Sequence, residues 1–222
     1  MIDVGNGRIA RRQLLAGAGI AGLVLLTPGW AIAATASRLD AARRLVRLAT
    51  SRAFAKLSAP NGFWDSPVAR FDLPELFVTG RRPLSPASRE QLQRRLNLVA
   101  EAGARRAGQV ARRTSGVITR EDADAIIAGD ATAGTSVLRA RVGARMINEM
   151  IPAIERALRA ERDPVVIAAV GKLSGVEMRD VAKAVALKAD SAIWYQIGAE
   201  EGDIRANPQA TGDTVLIGAL RK

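Results

Sequence analysis

The sequence predicts an all-α, single-domain helical bundle crossed by a proline-rich, aromatic-bearing strap between its first two long helices. Three observations predict it. Apolar residues recur at three- and four-residue spacing through most of the chain, no segment alternates over enough residues to make a strand, and alanine, leucine, valine and arginine dominate while aromatics are only 4% of 222 residues. Hydrophobic content of 48% is enough for a core of ordinary size. No internal repeat, low-complexity tract or interdomain linker divides the chain.

Residues 1–33 have the layout of an export signal, and residues 34–222 form the single helical domain. Arg8, Arg11 and Arg12 precede an uncharged stretch from Leu14 to Ala36 that ends in two small-x-small sites, Ala31-Ile32-Ala33 and Ala34-Thr35-Ala36. Pro28 and Gly29 are expected to break the apolar helix and leave an extended segment for a peptidase, with cleavage after Ala33 favoured over Ala36. Arg11-Arg12-Gln13-Leu14-Leu15 resembles the twin-arginine signal in part: Ala10 and Ala16 replace the polar and basic residues of its fullest form. Gly17, Gly19 and Gly22 dilute the apolar core, and Arg38, Arg43, Arg44 and Arg47 follow closely, a charge distribution that resists threading as an unfolded chain. An ordinary secretion signal and an uncleaved anchor helix are the competing readings. Gly17-Ala18-Gly19-Ile20-Ala21-Gly22 has dinucleotide-site spacing but lacks the strand before it and the second strand after it, so no cofactor is expected there.

The first helix is expected over Ser37–Leu57, with Leu39, Ala42, Leu45, Val46, Ala49 and Ala53 facing inward. From Ser58 to Pro86 the chain holds five of its nine prolines and should run as extended segments and short turns. This strap carries Phe63, Trp64, Phe71 and Phe77, half of the eight aromatics, and is expected to bury Phe63, Phe71 and Trp64. Arg70 then points either at an internal carboxylate or into a ligand pocket. Ser85 as N-cap and Pro86 at the first helical position open a helix whose buried stripe is Leu92, Leu96, Val99, Gly103, Ala107 and Val110, with Gly103 admitting a close neighbour. Thr119 and Asp122 make a capping-box-like start to a short helix that Gly129 ends. One longer helix is expected through Leu138, Val142, Met146, Met150, Ala153 and Ala157, bent at Pro152. Asp163-Pro164 caps the next, a last long helix runs from about Val176 to Glu200, and a tail with Asn207-Pro208 follows.

The absence of Cys and His excludes disulfides, a lipid-modified N-terminal cysteine, thiolate or imidazole metal sites and Ser-His-Asp triads. Lys172, Lys183 and Lys188 could pair with a serine, but no local pattern selects one. Net charge is the strongest anomaly. It is +11 overall and +9 once the three arginines and Asp3 of residues 1–33 are removed. Residues 34–116 carry 16 basic and 6 acidic side chains, whereas residues 117–222 carry 14 and 15. A basic face centred on Arg94, Arg95, Arg105, Arg106, Arg112 and Arg113 suits anionic lipid headgroups or an acidic envelope protein, because guanidinium forks match phosphate and carboxylate. Nucleic acid is not the expected partner, since the chain has neither a recognised binding fold nor a set of stacking aromatics. The plainer explanation is a solvated helix face.

Glu121, Asp122, Asp124 and Asp130 form one acidic cluster and Glu200, Glu201 and Asp203 another, but neither has the spacing of a calcium loop, and acids in a first helical turn favour its positive end. No metal or organic cofactor is expected. The function predicted is a non-catalytic binding or scaffolding protein of the periplasm or cell envelope; the alternative is an enzyme built on carboxylates and arginine, for which Asp130, Glu200 and Arg70 would have to converge around a carboxylate of raised pKa.

Several ordered segments resemble one bacterial family. Asn61-Gly62-Phe63-Trp64-Asp65-Ser66-Pro67-Val68-Ala69-Arg70-Phe71-Asp72-Leu73-Pro74, Asp122-Ala123 through Ile127, Gly129-Asp130-Ala131-Thr132-Ala133-Gly134-Thr135, and Glu200-Glu201 with Ile204-Arg205-Ala206-Asn207-Pro208 are similar to domain of unknown function 4197, over roughly Ala41 to Leu220. Val137 stands where relatives tend to carry an aromatic, and Gly202-Asp203 where they tend to be basic. The resemblance implies an exported helical domain with no assigned reaction and supplies no catalytic residues. Candidate ligand or partner contacts are Trp64 and Arg70 of the strap, Arg94, Arg95, Arg105 and Arg106 of the second helix, Asp130 and Thr132 of the central motif, and Arg205 of the C-terminal motif.

Overall fold

A computed structural model describes residues 29–78 and 84–221, with side chains from residue 37 onward. The sequence features through Pro28, including Arg11-Arg12 and the glycine-rich run, lie outside the described residues. The helices are α1 (Gly29–Leu57), α2 (Glu75–Val78), α3 (Pro86–Ser115), α4 (Arg120–Ala128), α5 (Ala133–Val142), α6 (Arg145–Glu161), α7 (Pro164–Val170), α8 (Met178–Ala206) and α9 (Thr214–Leu220), with a 3-10 turn at Pro208–Thr211. No strand occurs among the described residues.

The axis of the bundle is α8, which packs against α6, α1, α3 and α5 and is about 43 Å long at 1.5 Å per residue. It can be surrounded because its inward positions are small: Ala182, Ala186, Ala189, Ala192 and Gly198 are buried along with Val181, Val185, Ile193 and Ile197. Small residues also set the other crossings. A Cβ on Gly103 of α3 would lie 2.9 Å from Ile154 Cδ1 of α6, so the close approach expected at that glycine is present. The whole α3 stripe from Leu92 to Val110 is buried as its spacing predicts.

Local capping signals translate directly into geometry. Ser85 Oγ accepts from the Ser88 N–H ahead of α3, and Asp163 Oδ1 accepts from the Val165 N–H ahead of α7. Thr119 Oγ1 accepts from the Asp122 N–H while Asp122 Oδ2 accepts from the Thr119 N–H, a complete capping box.

Several expectations are corrected. The chain from Gly29 to Ala36 is helical, continuous with α1, where an extended cleavage segment was expected; four alanines in those eight residues favour helix. The long helix expected through Ala157 is two, α5 and α6, broken at Gly143. Gly143 has φ 54° and ψ −143°, a conformation that a Cβ would forbid, while Pro152 lies inside α6. The last long helix continues past Glu200 to Ala206, and the tail beyond it contains α9, capped by Asp213, which accepts from the Val215 and Leu216 N–H groups.

The strap runs as turns from Ser58, an extended segment into Pro74, and the single helical turn of α2. Phe63, Phe71 and Phe77 are buried, and Phe63 meets Phe71 edge to face with ring centroids 6.0 Å apart. Asn97, fully buried on α3, pins the extended segment: its Oδ1 accepts from the Phe71 N–H at 3.2 Å and its Nδ2 donates to the Phe71 carbonyl at 3.0 Å. Trp64, expected inside, is only half-buried, because its ring lies under the guanidinium of Arg70 at 4.2 Å and faces that of Arg94 at 5.5 Å.

Candidate functional site

Three arrangements bring the candidate residues together. The first lies where α8 meets the N-terminus of α5. Glu201 is 1% exposed; its Oε1 accepts from the Gly134 N–H (2.8 Å), and its Oε2 accepts from the Thr135 N–H (2.6 Å) and the Thr135 hydroxyl (2.7 Å). Arg205, one turn on, donates from Nε and Nη2 to Glu201 Oε1 (3.0 and 2.7 Å) and from Nη2 to the Ile126 carbonyl of α4 (2.7 Å). Thr132, the residue before α5, makes no capping bond with its own side chain. A carboxylate from a distant helix therefore does the capping, with its charge at the positive end of α5. Asp130 shapes the turn before it by accepting from the Thr132 N–H at 2.9 Å. Arg205, Thr132 and Asp130 thus belong to a clasp joining α4, α5 and α8. Asp130 and Arg205 also border an open cleft of about 430 Å³ beside Gly202 and Leu220.

Of the neighbouring acids, Asp122 and Asp124 are likewise engaged. Asp122 accepts from Arg141 Nη2 at 2.8 Å with both oxygens, and Asp124 pairs with Arg38 at 3.0 Å. Burial pushes the Asp122 carboxyl up, but the Thr119 backbone N–H, Arg141 and the Thr119 hydroxyl outweigh it and hold the group below the usual carboxylate range. Among the described residues no group of three or more acids is placed to hold a metal ion.

The second arrangement lies under the strap. Glu200, 3% exposed, turns away from Glu201 by the 100° between successive helical residues and lines a cleft of about 490 Å³ with Lys56, Ser66 and Gln196. Asp130, Glu200 and Arg70 do not converge: Asp130 and Glu200 line different clefts, and Arg70 is exposed on Trp64, with its Nε donating to the Trp64 carbonyl. Arg70 therefore meets neither of the partners expected for it, because the preceding aromatic offers a face and a carbonyl six residues away. Two carboxyls do lie above the usual range. Burial pushes Glu101 up despite the Asn61 backbone N–H, and burial pushes Asp190 up despite the Trp194 indole that donates to it at 3.1 Å. Neither lines either cleft.

The third arrangement is the outer face of α3. At about 100° per residue, Arg94, Arg105 and Arg112 fall within about 20° of one another, and Arg95, Arg106 and Arg113 form a second row about 100° away. All six are exposed, over about 28 Å of helix. Arg95 pairs with Asp163 at 2.8 Å, and among the described residues it is the one of the six in an ion pair. Glu101, one turn before Arg105 on the same side of α3, interacts with that guanidinium and offsets part of the row.

Among the described residues no helix is long and apolar enough to cross a membrane. The profile of a family described as "Protein of unknown function (DUF4197)" matches residues 34–219. No curated protein and no solved structure matches the chain.

Proposed function

The chain belongs to the DUF4197 family, whose description names no reaction, and from its own residues we propose an exported, non-catalytic envelope protein that binds anionic surfaces through the outer face of α3. The observation that carries this reading is the double row of exposed arginines, five of them outside any ion pair among the described residues. Guanidinium groups spread along one helix face can each reach a separate phosphate, and long-range attraction from a chain of net charge +11 speeds encounter with a negative surface. Asp130, Glu200 and Arg70 lie apart, so that trio does not support the carboxylate-dependent alternative.

The test is sedimentation of the protein with vesicles of neutral lipid, alone or mixed with phosphatidylglycerol. Binding should require the anionic lipid and weaken as salt shortens the screening length to below about 10 Å. Replacing Arg105, Arg106, Arg112 and Arg113 together by Gln should lower binding by about tenfold or more, since each basic residue near such a surface contributes about 1 kcal/mol. Melting should hardly change, because all four side chains are exposed. Equal binding to neutral and anionic vesicles sinks the proposal.

Export is proposed from Arg11-Arg12 and the small-x-small sites ahead of residue 37. Arg11→Lys with Arg12→Lys should leave the full-length chain in the cytoplasm on cell fractionation. Normal export of that double variant removes the twin-arginine route and leaves an ordinary secretion signal.

A further inference from the structure

The cleft under the strap is acidic in a strongly basic protein. Its walls come from the end of α1 (Lys56), the strap turns (Ala59 to Gly62 and Asp65 to Val68) and one stripe of α8, on which Gln196, Ala199, Glu200 and Asp203 follow at i, i+3, i+4 and i+7. Asp65, Glu200 and Asp203 against Lys56 give the cleft a net charge of −2 in a chain of +11.

Its polar floor is fixed. Ser66 Oγ accepts from the Ala69 N–H at 3.0 Å, so its hydrogen is free to donate to Gln196 Oε1 at 2.8 Å. The Gln196 amide is thereby oriented with Nε2 toward Glu200 Oε1, to which it donates at 2.9 Å. Lys56 Nζ lies against the same oxygen at 2.5 Å. Glu200 Oε2, by contrast, makes no hydrogen bond among the described residues, and it is not among the carboxylate oxygens sealed from solvent, as Glu101 Oε1 is. Glu200 therefore ties Lys56 and Gln196 together through one oxygen and keeps the other able to accept a further donor. Asp203 and Asp65, both exposed, have no ion pair among the described residues.

We propose that this cleft binds a small aliphatic amine, its ammonium donating to Glu200 Oε2 and Asp203 and its stem lying on Pro60, Pro67 and Val68. Three carboxylates disfavour an anion, and the residues are not grouped to hold a metal. Lys56 Nζ on Glu200 Oε1 is one ammonium already paired with this carboxylate. Val68 is exposed beside the floor, where it gives such a stem an apolar contact. This site shares no residue with the arginine face of α3, so each proposal stands or falls alone.

The experiment is amide NMR of the protein as the cell produces it, titrated with pentylamine, pentanol and pentanoate up to about 50 mM, past the millimolar affinity expected of so small a ligand. Pentylamine should shift the amides of residues 59–68 and 196–203, while pentanol and pentanoate should not. Asp203→Asn, an exposed change that keeps the fold, should weaken pentylamine at least about fivefold, and Glu200→Gln should weaken it further. Pentanol shifting the same amides as strongly, pentylamine shifting none of them, or Asp203→Asn binding as well as the wild type overturns the proposal.

Discussion

Glu201→Ala should lower the melting temperature more than any other single substitution among the polar residues, by roughly 10 °C, read by circular dichroism at neutral pH. The truncation strands four groups at once: the Gly134 and Thr135 N–H groups, the Thr135 hydroxyl and the guanidinium of Arg205, whose side chain is 12% exposed. Removing one partner of a buried ion pair typically costs about 3–5 kcal/mol, and Arg205, which keeps the Ile126 carbonyl and borders the cleft, puts the loss toward the lower end. Glu201→Gln separates capping from size. Every neighbour of the carboxylate is a donor, so an amide NH2 placed there faces N–H and O–H groups, and this near-isosteric change should also destabilise, by about 2 kcal/mol. Gly134→Ala tests the other side of the clasp. A Cβ at that position would lie 2.9 Å from both Glu201 Oε1 and Val46 Cγ2, which forces the carboxylate off its donors. If Glu201→Ala melts within about 2 °C of the wild type, the clasp does not hold α5 to α8.

What could be read from the sequence divides along the range of the interactions involved. The caps at Ser85, Thr119 and Asp163 are decided within four residues, so their side chains announce them. The arginine face of α3 was equally legible, because Pro86 fixes where the helix starts and the 3.6-residue repeat then fixes which way each arginine points. The break at Gly143 was not, since nothing local distinguishes that glycine from Gly103, which stays helical against Ile154. The clasp was least legible of all. Glu201 lies 67 residues from Gly134, and the resemblance marks both segments as characteristic without saying that one caps the other. Arg205, expected as a ligand contact, also holds the Glu201 carboxylate, and Glu200, one residue from the clasp, is the acid that lines the cleft under the strap. Adjacent acids on a central helix face different neighbours, and only the packing of α1, α5 and the strap around α8 decides which is which.

The strap supplies the second large effect. Phe71→Ala should destabilise by about 3–5 kcal/mol, because the ring is 7% exposed, meets Phe63 edge to face, and closes a bundle whose helices are lined mainly by alanine, leucine and valine. The backbone of the strap has its own anchor, so the variant should lose stability without releasing the segment: Asn97 still bonds both the N–H and the carbonyl of residue 71. Asn97→Ala reverses the pattern. It keeps the aromatic pair but leaves a buried N–H without its acceptor, while Gln93 Nε2 continues to donate to the carbonyl at 3.1 Å, and the expected loss is about 1–3 kcal/mol. Arg70→Ala removes an exposed guanidinium from the face of Trp64 and should cost no more than about 1 kcal/mol. The order Phe71, Asn97, Arg70 in melting temperature therefore distinguishes a strap that is part of the core from one that is merely tethered to it. A tethered strap would make Asn97→Ala the largest of the three, and a Phe71→Ala protein that melts like the wild type would show that the aromatic pair contributes nothing to the bundle it covers.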